Sequence, residues 1–220
     1  MCLHTIETID KGDFVDYFVN YLTKFLEMYF VSYPKEKVFE LKKNILDIRE
    51  VFISDILAKY PTLNNNLSDY EIFRLLQVDS SLETVFYYRL ARAIYMQDHG
   101  NDILPYIASL MRLKTGAEVY YSTEIGTGFI IMHGTGVVIG PRHKIGNNFM
   151  IYQGVTLGQK NINSPNQSIT IGNNVRIFAG AKILGTLTIG DNVIIGANAV
   201  LLNDADSNST YVGIPAKNVK

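Results

Sequence analysis

The chain of 220 residues has one cysteine, Cys2, no tryptophan and only six prolines. A single thiol cannot close an intramolecular disulfide, so packing must hold the fold together. Charge of neither sign dominates: 20 Lys and Arg against 21 Asp and Glu leave a net charge of −1. No overall field therefore draws the chain to nucleic acid or to an anionic membrane, and an anionic ligand must be held by local groups. No apolar run reaches the roughly 18 residues of a spanning helix, and the N-terminus lacks the basic, apolar and small-residue order of a signal peptide. We expect a cytoplasmic protein. The four histidines and lone cysteine show no metal-ligand spacing, and no Gly-x-Ser-x-Gly elbow is present, so neither a metal site nor an acyl-enzyme is expected.

At 47% apolar residues the chain has material for a sizeable core, and it is laid out with two different periods. Up to about residue 115 the pattern is helical. Phe14, Phe18, Tyr21, Leu22, Phe25 and Leu26 recur at spacings of three and four; after a break at Pro34, Val38, Leu41, Ile45, Ile48, Phe52 and Ile56 do the same. Pro61 and Asn64 to Asn66 mark a loop. Ser68 with Glu71, and Ser80 with Glu83, have capping-box spacing at two further helix starts, and a last helix is expected over 103–114. No chemical constellation stands out in this half, which reads as a scaffold or oligomerisation domain, residues 1–115.

From Ile171 to Leu201 an aliphatic residue returns every six positions, at Ile171, Ile177, Ile183, Ile189, Ile195 and Leu201. Val175, Ala181, Leu187, Val193 and Ala199 follow four residues after the first five. A period of six suits a prism-shaped parallel β-helix. The same period runs through Val119, Ile125, Ile131 and Val137, slips by two residues, and continues through Ile139, Ile145, Ile151 and Leu157. From Leu157 to Ile171 the step is fourteen residues instead of six. The excess, Gly158 to Ser168, is polar and contains Pro165, so it must leave the prism as a loop. The fold class is α+β: helices first, then a β-helix over 116–220.

His133, between Met132 and Gly134-Thr135-Gly136, is the residue best suited to chemistry. An imidazole can take a proton from a hydroxyl as that group attacks an acyl carbonyl. The neighbouring glycines leave room beside it. Its partner carboxylate is expected to be Glu118, fifteen residues earlier, because about eighteen residues per coil can bring the two near each other; Glu124 is the alternative. His4, His99 and His143 lack such surroundings and are expected to be solvated.

The segments His133-Gly134-Thr135-Gly136-Val137-Val138-Ile139-Gly140, Tyr152-Gln153-Gly154-Val155-Thr156-Leu157-Gly158, Gly180-Ala181-Lys182-Ile183-Leu184-Gly185 and Val212-Gly213-Ile214-Pro215-Ala216-Lys217 resemble, in the same order, those of the hexapeptide-repeat acyltransferases. The resemblance is to the serine O-acetyltransferases in particular. Arg89-Leu90-Ala91-Arg92 also resembles that family's last helices before the prism. The resemblance implies a left-handed β-helix, acetyl-CoA as acyl donor, and trimers or dimers of trimers with active sites between subunits. It places His133 as general base and Glu118 where the family has an aspartate that pairs with it. Thr156, Gly158, Ala179 and Ala197 fall along the acetyl-CoA channel, and Lys182 and Lys217 fall where they could face the cofactor's phosphates.

The departures concern the acceptor. Met132 stands where the family has an aspartate, Pro141-Arg142 where it has Glu-Thr, and Gln167-Ser168 where it has an Arg-His pair that helps bind the serine carboxylate. Losing charge-assisted hydrogen bonds of about 1.5–3 kcal/mol each would weaken serine binding unless Arg142 or another subunit substitutes. After Lys217 the sequence lacks the isoleucine-terminated tail with which many members dock into cysteine synthase, which argues against that complex. The expected function is acetyl transfer to a small hydroxyl acceptor, serine first, as in cysteine biosynthesis. The alternatives are a sugar or nucleotide-sugar acetyltransferase and a non-catalytic trimeric scaffold.

Overall fold

A computed structural model describes residues 14–38, 40–161, 163 and 166–220; Cys2, His4 and Pro165 lie outside the described residues. Helices occupy the first half: α1 (Phe14–Tyr29), α2 (Lys35–Val38), α3 (Leu41–Lys59), α4 (Asp69–Val78), α5 (Ser80–Gln97) and α6 (Leu104–Thr115). None of them is long and apolar enough to cross a membrane. Pro34 stands immediately before α2, where its missing N–H breaks no helical bond. The Ser68 capping box forms as its spacing indicates, with Glu71 N–H donating to Ser68 Oγ and Ser68 N–H donating to Glu71 Oε2 at 2.8 Å.

The second capping box does not form. Ser80 is already the first residue of α5, and Asp79 is the cap, its Oδ1 accepting from the N–H groups of Ser81 (3.0 Å) and Leu82 (3.1 Å). A carboxylate outcompetes a hydroxyl here because Lys59 and the Tyr60 hydroxyl (2.6 Å) hold its other oxygen in place. Glu83 turns instead to Lys114 and to the Tyr87 hydroxyl. The helices meet around Phe86, whose ring lies 4.0 Å from that of Phe18 and 5.1 Å from that of Phe52.

The second half is a three-sided solenoid. One face carries β1 (Glu118–Val119), β4 (Val138–Ile139), β7 (Thr156–Gly158), β10 (Lys182–Leu184) and β13 (Val200–Leu201). The next carries β2 (Glu124–Ile125), β5 (Lys144–Ile145), β8 (Ile169–Ile171) and β11 (Leu187–Ile189). The third carries β3 (Ile130–Met132), β6 (Met150–Tyr152), β9 (Arg176–Ile177), β12 (Ile194–Ile195), β14 (Thr210–Val212) and β15 (Lys217–Asn218). Apart from the antiparallel β14–β15 pair, the strand pairs are parallel. Every aliphatic position of the six-residue repeat from Ile171 to Leu201 is buried. Polar corners close the stack: Asn148, Asn174, Asn192 and Asn208, all with φ between 54° and 60°, pass amide hydrogen bonds up one edge.

Register locates the irregularities. Val138 pairs with Thr156 and Lys182 with Val200, eighteen residues on in each case. Glu118, however, pairs with Val138, two residues too far, and Thr156 with Lys182, eight too far. The first excess sits at the corner holding His133 and Gly134, the second in the loop after β7.

One buried knot joins the halves. Arg89 of α5 forms a two-pronged ion pair with Asp55 of α3 (Nε 2.8 Å, Nη2 3.0 Å) and donates to the carbonyls of Ile125 and Gly126 at 2.6 Å each. Asp55 also accepts from the backbone N–H of Phe129 at 2.8 Å. Removing one member would leave the other charge buried and uncompensated. Arg89→Ala is expected to lower unfolding stability by about 3–5 kcal/mol, read as a shifted urea midpoint. A loss below about 1 kcal/mol, the range of an exposed pair, would contradict this role.

Candidate active site

The corner between β3 and β4 contains two residues more than the corners above it. The excess is absorbed as a bulge: Gly136 N–H bonds to Gly116 O (2.8 Å) and Gly154 N–H to Thr135 O (3.0 Å), leaving His133 and Gly134 outside the regular ladder. His133 takes φ 53°, uncommon for a residue with a Cβ, and its side chain is exposed. Among the described residues its ring has no hydrogen-bond or ion-pair partner. Gly134, by contrast, is buried, and its N–H donates to Ser81 Oγ of α5 at 2.9 Å. Nothing in the sequence marked Ser81, since the helix-cap pattern around it involves its neighbours.

Glu118 lies one coil earlier, at the start of β1. Its carboxylate does not meet the imidazole: Oε1 accepts from Arg112 Nη1 of α6 at 3.0 Å. Glu124, the alternative, is exposed and lies 4.0 Å from Arg92. Glu118 is thus near the right corner but engaged by a cation that the spacing argument did not include.

The residues singled out for the acyl donor divide between one face, the corner before it and β15. Thr156 and Gly158 lie on β7 in register with Lys182 and Leu184 of β10. Ala179 and Ala197 occupy the adjoining corner on successive coils, where Asn198 N–H bonds to Ala179 O (2.8 Å). That corner is the His133 edge, continued up the prism. Lys182 does not project freely; its ammonium bonds to Gly154 O and to Thr156 Oγ1 (3.1 Å). Lys217, on β15, is exposed.

The residues singled out for the acceptor gather at another edge. Ser168 Oγ donates to Arg142 O at 2.8 Å, and Gln167 Oε1 accepts from Lys160 N–H at 2.7 Å, closing the loop on itself. Arg142 follows β4 whereas His133 precedes it, so within one chain the two sets sit at opposite ends of that strand. Beside His133 the outward side chains of the third face are instead Met132, Tyr152 and Phe178. Met132 is in register with Tyr152, and the Tyr152 and Phe178 rings stack 5.0 Å apart.

His143, expected in solvent, is 2% exposed. The polar excursion that follows β7 needs an anchor where it rejoins the prism, and the imidazole supplies one. Its Nδ1 accepts the N–H of Ile169 (3.1 Å), which places the ring proton on Nε2, facing Leu157 O at 3.4 Å. Burial pushes this imidazole's pKa down, the Leu157 carbonyl partly opposes that, and the Arg142 charge adds to it.

Comparison with known proteins places this geometry among relatives. The family model "Bacterial transferase hexapeptide (six repeats)" matches residues 168–203. A serine acetyltransferase of Staphylococcus xylosus is 50% identical over 114 residues, 52% of this chain and 53% of that protein. One from Staphylococcus aureus (strain Mu50 / ATCC 700699) is 37% identical over 180 residues, 82% of this chain and 79% of that protein. The chain spans about half the length of the first and two thirds or less of several other curated relatives. A solved serine acetyltransferase in complex with CoA superposes with a TM-score of 0.71 at 25% identity, covering 91% of this chain and 83% of that one.

The neutral state of His143 gives the loop anchor a pH dependence. The folded chain binds this proton less readily than the unfolded one. The contribution is therefore complete above the unfolded pKa of about 6.5 and is lost as pH falls through the lower folded value. Between pH 7.5 and 5 the parent should lose more urea resistance than His143→Gln does. Equal losses in the two chains would contradict the assignment.

Proposed function

The chain belongs to the serine acetyltransferase family, and from that membership we propose that it transfers acetyl from acetyl-CoA to the hydroxyl of a small acceptor, with serine the leading candidate. The observation that carries this reading is the exposed imidazole on a two-residue bulge, at the foot of the edge that holds Ala179 and Ala197. Small residues there leave space for a pantetheine arm along the prism, with Thr156 and Gly158 on the adjacent face and Lys217 exposed toward phosphates. Lys182, bonded to Thr156, shapes that wall.

In this reading His133 accepts the acceptor's hydroxyl proton as the oxygen attacks the thioester carbonyl carbon. The new C–O bond forms, the C–S bond breaks, and the imidazolium returns its proton to the departing sulfur, so acetyl ester and free thiol are the products. Glu118, whose carboxylate does not meet the ring in the single chain, is the group assigned to stabilise its transient positive charge once it leaves Arg112. Arg112 holds that carboxylate in the single chain, and the charge appearing on the imidazole supplies the competing attraction.

Assembly follows from the position of the loop. Arg142, Gln167 and Ser168 are at the far end of β4 from His133, so they can reach an acceptor on His133 only from a second copy. We infer a trimer with a site at each joint, extended by the helices to a dimer of trimers, acting in the cytoplasm and supplying the acetylated hydroxyl amino acid from which cysteine is made.

A second reading takes a sugar as acceptor. Gln167 Oε1 and Ser168 Oγ are already engaged within the loop and at its base, and the wall next to His133 is the Met132, Tyr152 and Phe178 column. A flat apolar sugar face suits stacked rings better than a carboxylate does.

Measuring thiol release from acetyl-CoA with serine and with a panel of sugars separates the two readings. Efficient turnover of a sugar and none of serine would replace the first by the second. With the active acceptor, His133→Ala should lower kcat by roughly 10²- to 10⁴-fold. An unchanged rate would remove His133 from the mechanism.

A further inference from the structure

We propose that Ser81, on the first turn of α5, is a positioning residue for His133, and that the helical half thereby sets the geometry of the base. This rests on the reading of His133 given above. His133 sits on the bulge with φ 53°, a conformation an L-residue keeps only when its surroundings impose it. The next peptide plane fixes its ψ, and that plane is gripped on the helical side: the Gly134 N–H donates to Ser81 Oγ at 2.9 Å. On the far side of Gly134, its carbonyl accepts from Val137 N–H at 3.1 Å, which closes the turn. A Cβ at position 134 would stand 3.0 Å from Ile131 Cγ2 and 3.2 Å from Ser81 Oγ, so the bulge is pressed against both the prism and the helix.

Ser81 is itself anchored. It is 5% exposed, and its N–H is taken by Asp79 Oδ1, while Lys59 and Tyr60 grip the other carboxylate oxygen. A continuous set of hydrogen bonds therefore runs from the end of α3, through the cap of α5 and the Ser81 hydroxyl, to the peptide that aims the imidazole. Removing that hydroxyl leaves a buried N–H without an acceptor. The cheapest relief is rotation of the His133–Gly134 peptide, which swings the ring away from the edge of Ala179 and Ala197. Small displacements of a reacting group cost rate far more than they cost binding.

Ser81→Ala should lower kcat roughly 10- to 100-fold and leave KM for acetyl-CoA within about twofold. Ser81→Thr, which keeps the hydroxyl, should recover most of the loss. A merely structural role predicts neither the separation of kcat from KM nor the rescue. In parallel, the Gly134 amide should be protected from hydrogen exchange in the parent and exchange roughly 10²-fold faster in Ser81→Ala. Should Ser81→Ala fail to fold, Ser81→Cys, similar in size with a weaker acceptor, should reduce kcat by about fivefold or more. A parental kcat in whichever of Ser81→Ala and Ser81→Cys folds overturns the proposal, as does fast Gly134 exchange in the parent. Full activity in His133→Ala would instead sink the assignment of the base; the exchange data then still decide whether Ser81 holds the corner.

Discussion

Arg89 is the point on which the two halves depend. Its guanidinium is nearly fully buried, and its donors are divided between the Asp55 carboxylate and two carbonyls of the first coil. A cation in such a place is tolerated only if those partners stay within hydrogen-bond reach, which fixes α3, α5 and the first coil relative to one another. The Tyr88 hydroxyl, one residue away, adds a bond to Thr123 O at 2.9 Å. With α5 pinned in this way, its first turn arrives at the His133 corner, and the hydroxyl of Ser81 can reach Gly134.

The prism contributes regularity, and the chemistry is assigned to its two insertions. Stacked coils with a repeat of eighteen residues bury their aliphatics and present nothing reactive. The two-residue excess at the first corner turns a histidine outward with an uncommon backbone conformation. The eight-residue excess after β7 throws out a loop whose base is closed by Ser168, Gln167 and the buried His143. Both are insertions into a periodic wall, and they lie at opposite edges of one face, the first before β4 and the second after β7. In the function proposed above, a site that uses both lies where copies of the chain meet.

Much of this was legible in the residues. The six-residue period identified the solenoid because each repeat position is buried for the same reason, and a slip of two and an excess of eight were visible as breaks in that period. His133 stood out through its glycine neighbours. What was not legible depends on contacts across the fold. Asp79 displaced Ser80 as the cap of α5 because Lys59 and Tyr60, twenty and nineteen residues away, hold its carboxylate. His143 looked like a surface residue because its partners, Ile169 and Leu157, belong to other coils. Arg112 claims Glu118 from a helix, which spacing along the solenoid could not reveal.

The central claim is that acetyl transfer takes place at the His133 corner, between one copy's bulge and another copy's loop. A structure of the assembled protein with CoA and an acceptor tests it most directly. The account predicts the CoA sulfur along the edge of Ala179 and Ala197, with the acceptor oxygen about 3 Å from the His133 ring. CoA seated on another edge, with His133 open to solvent, would contradict it.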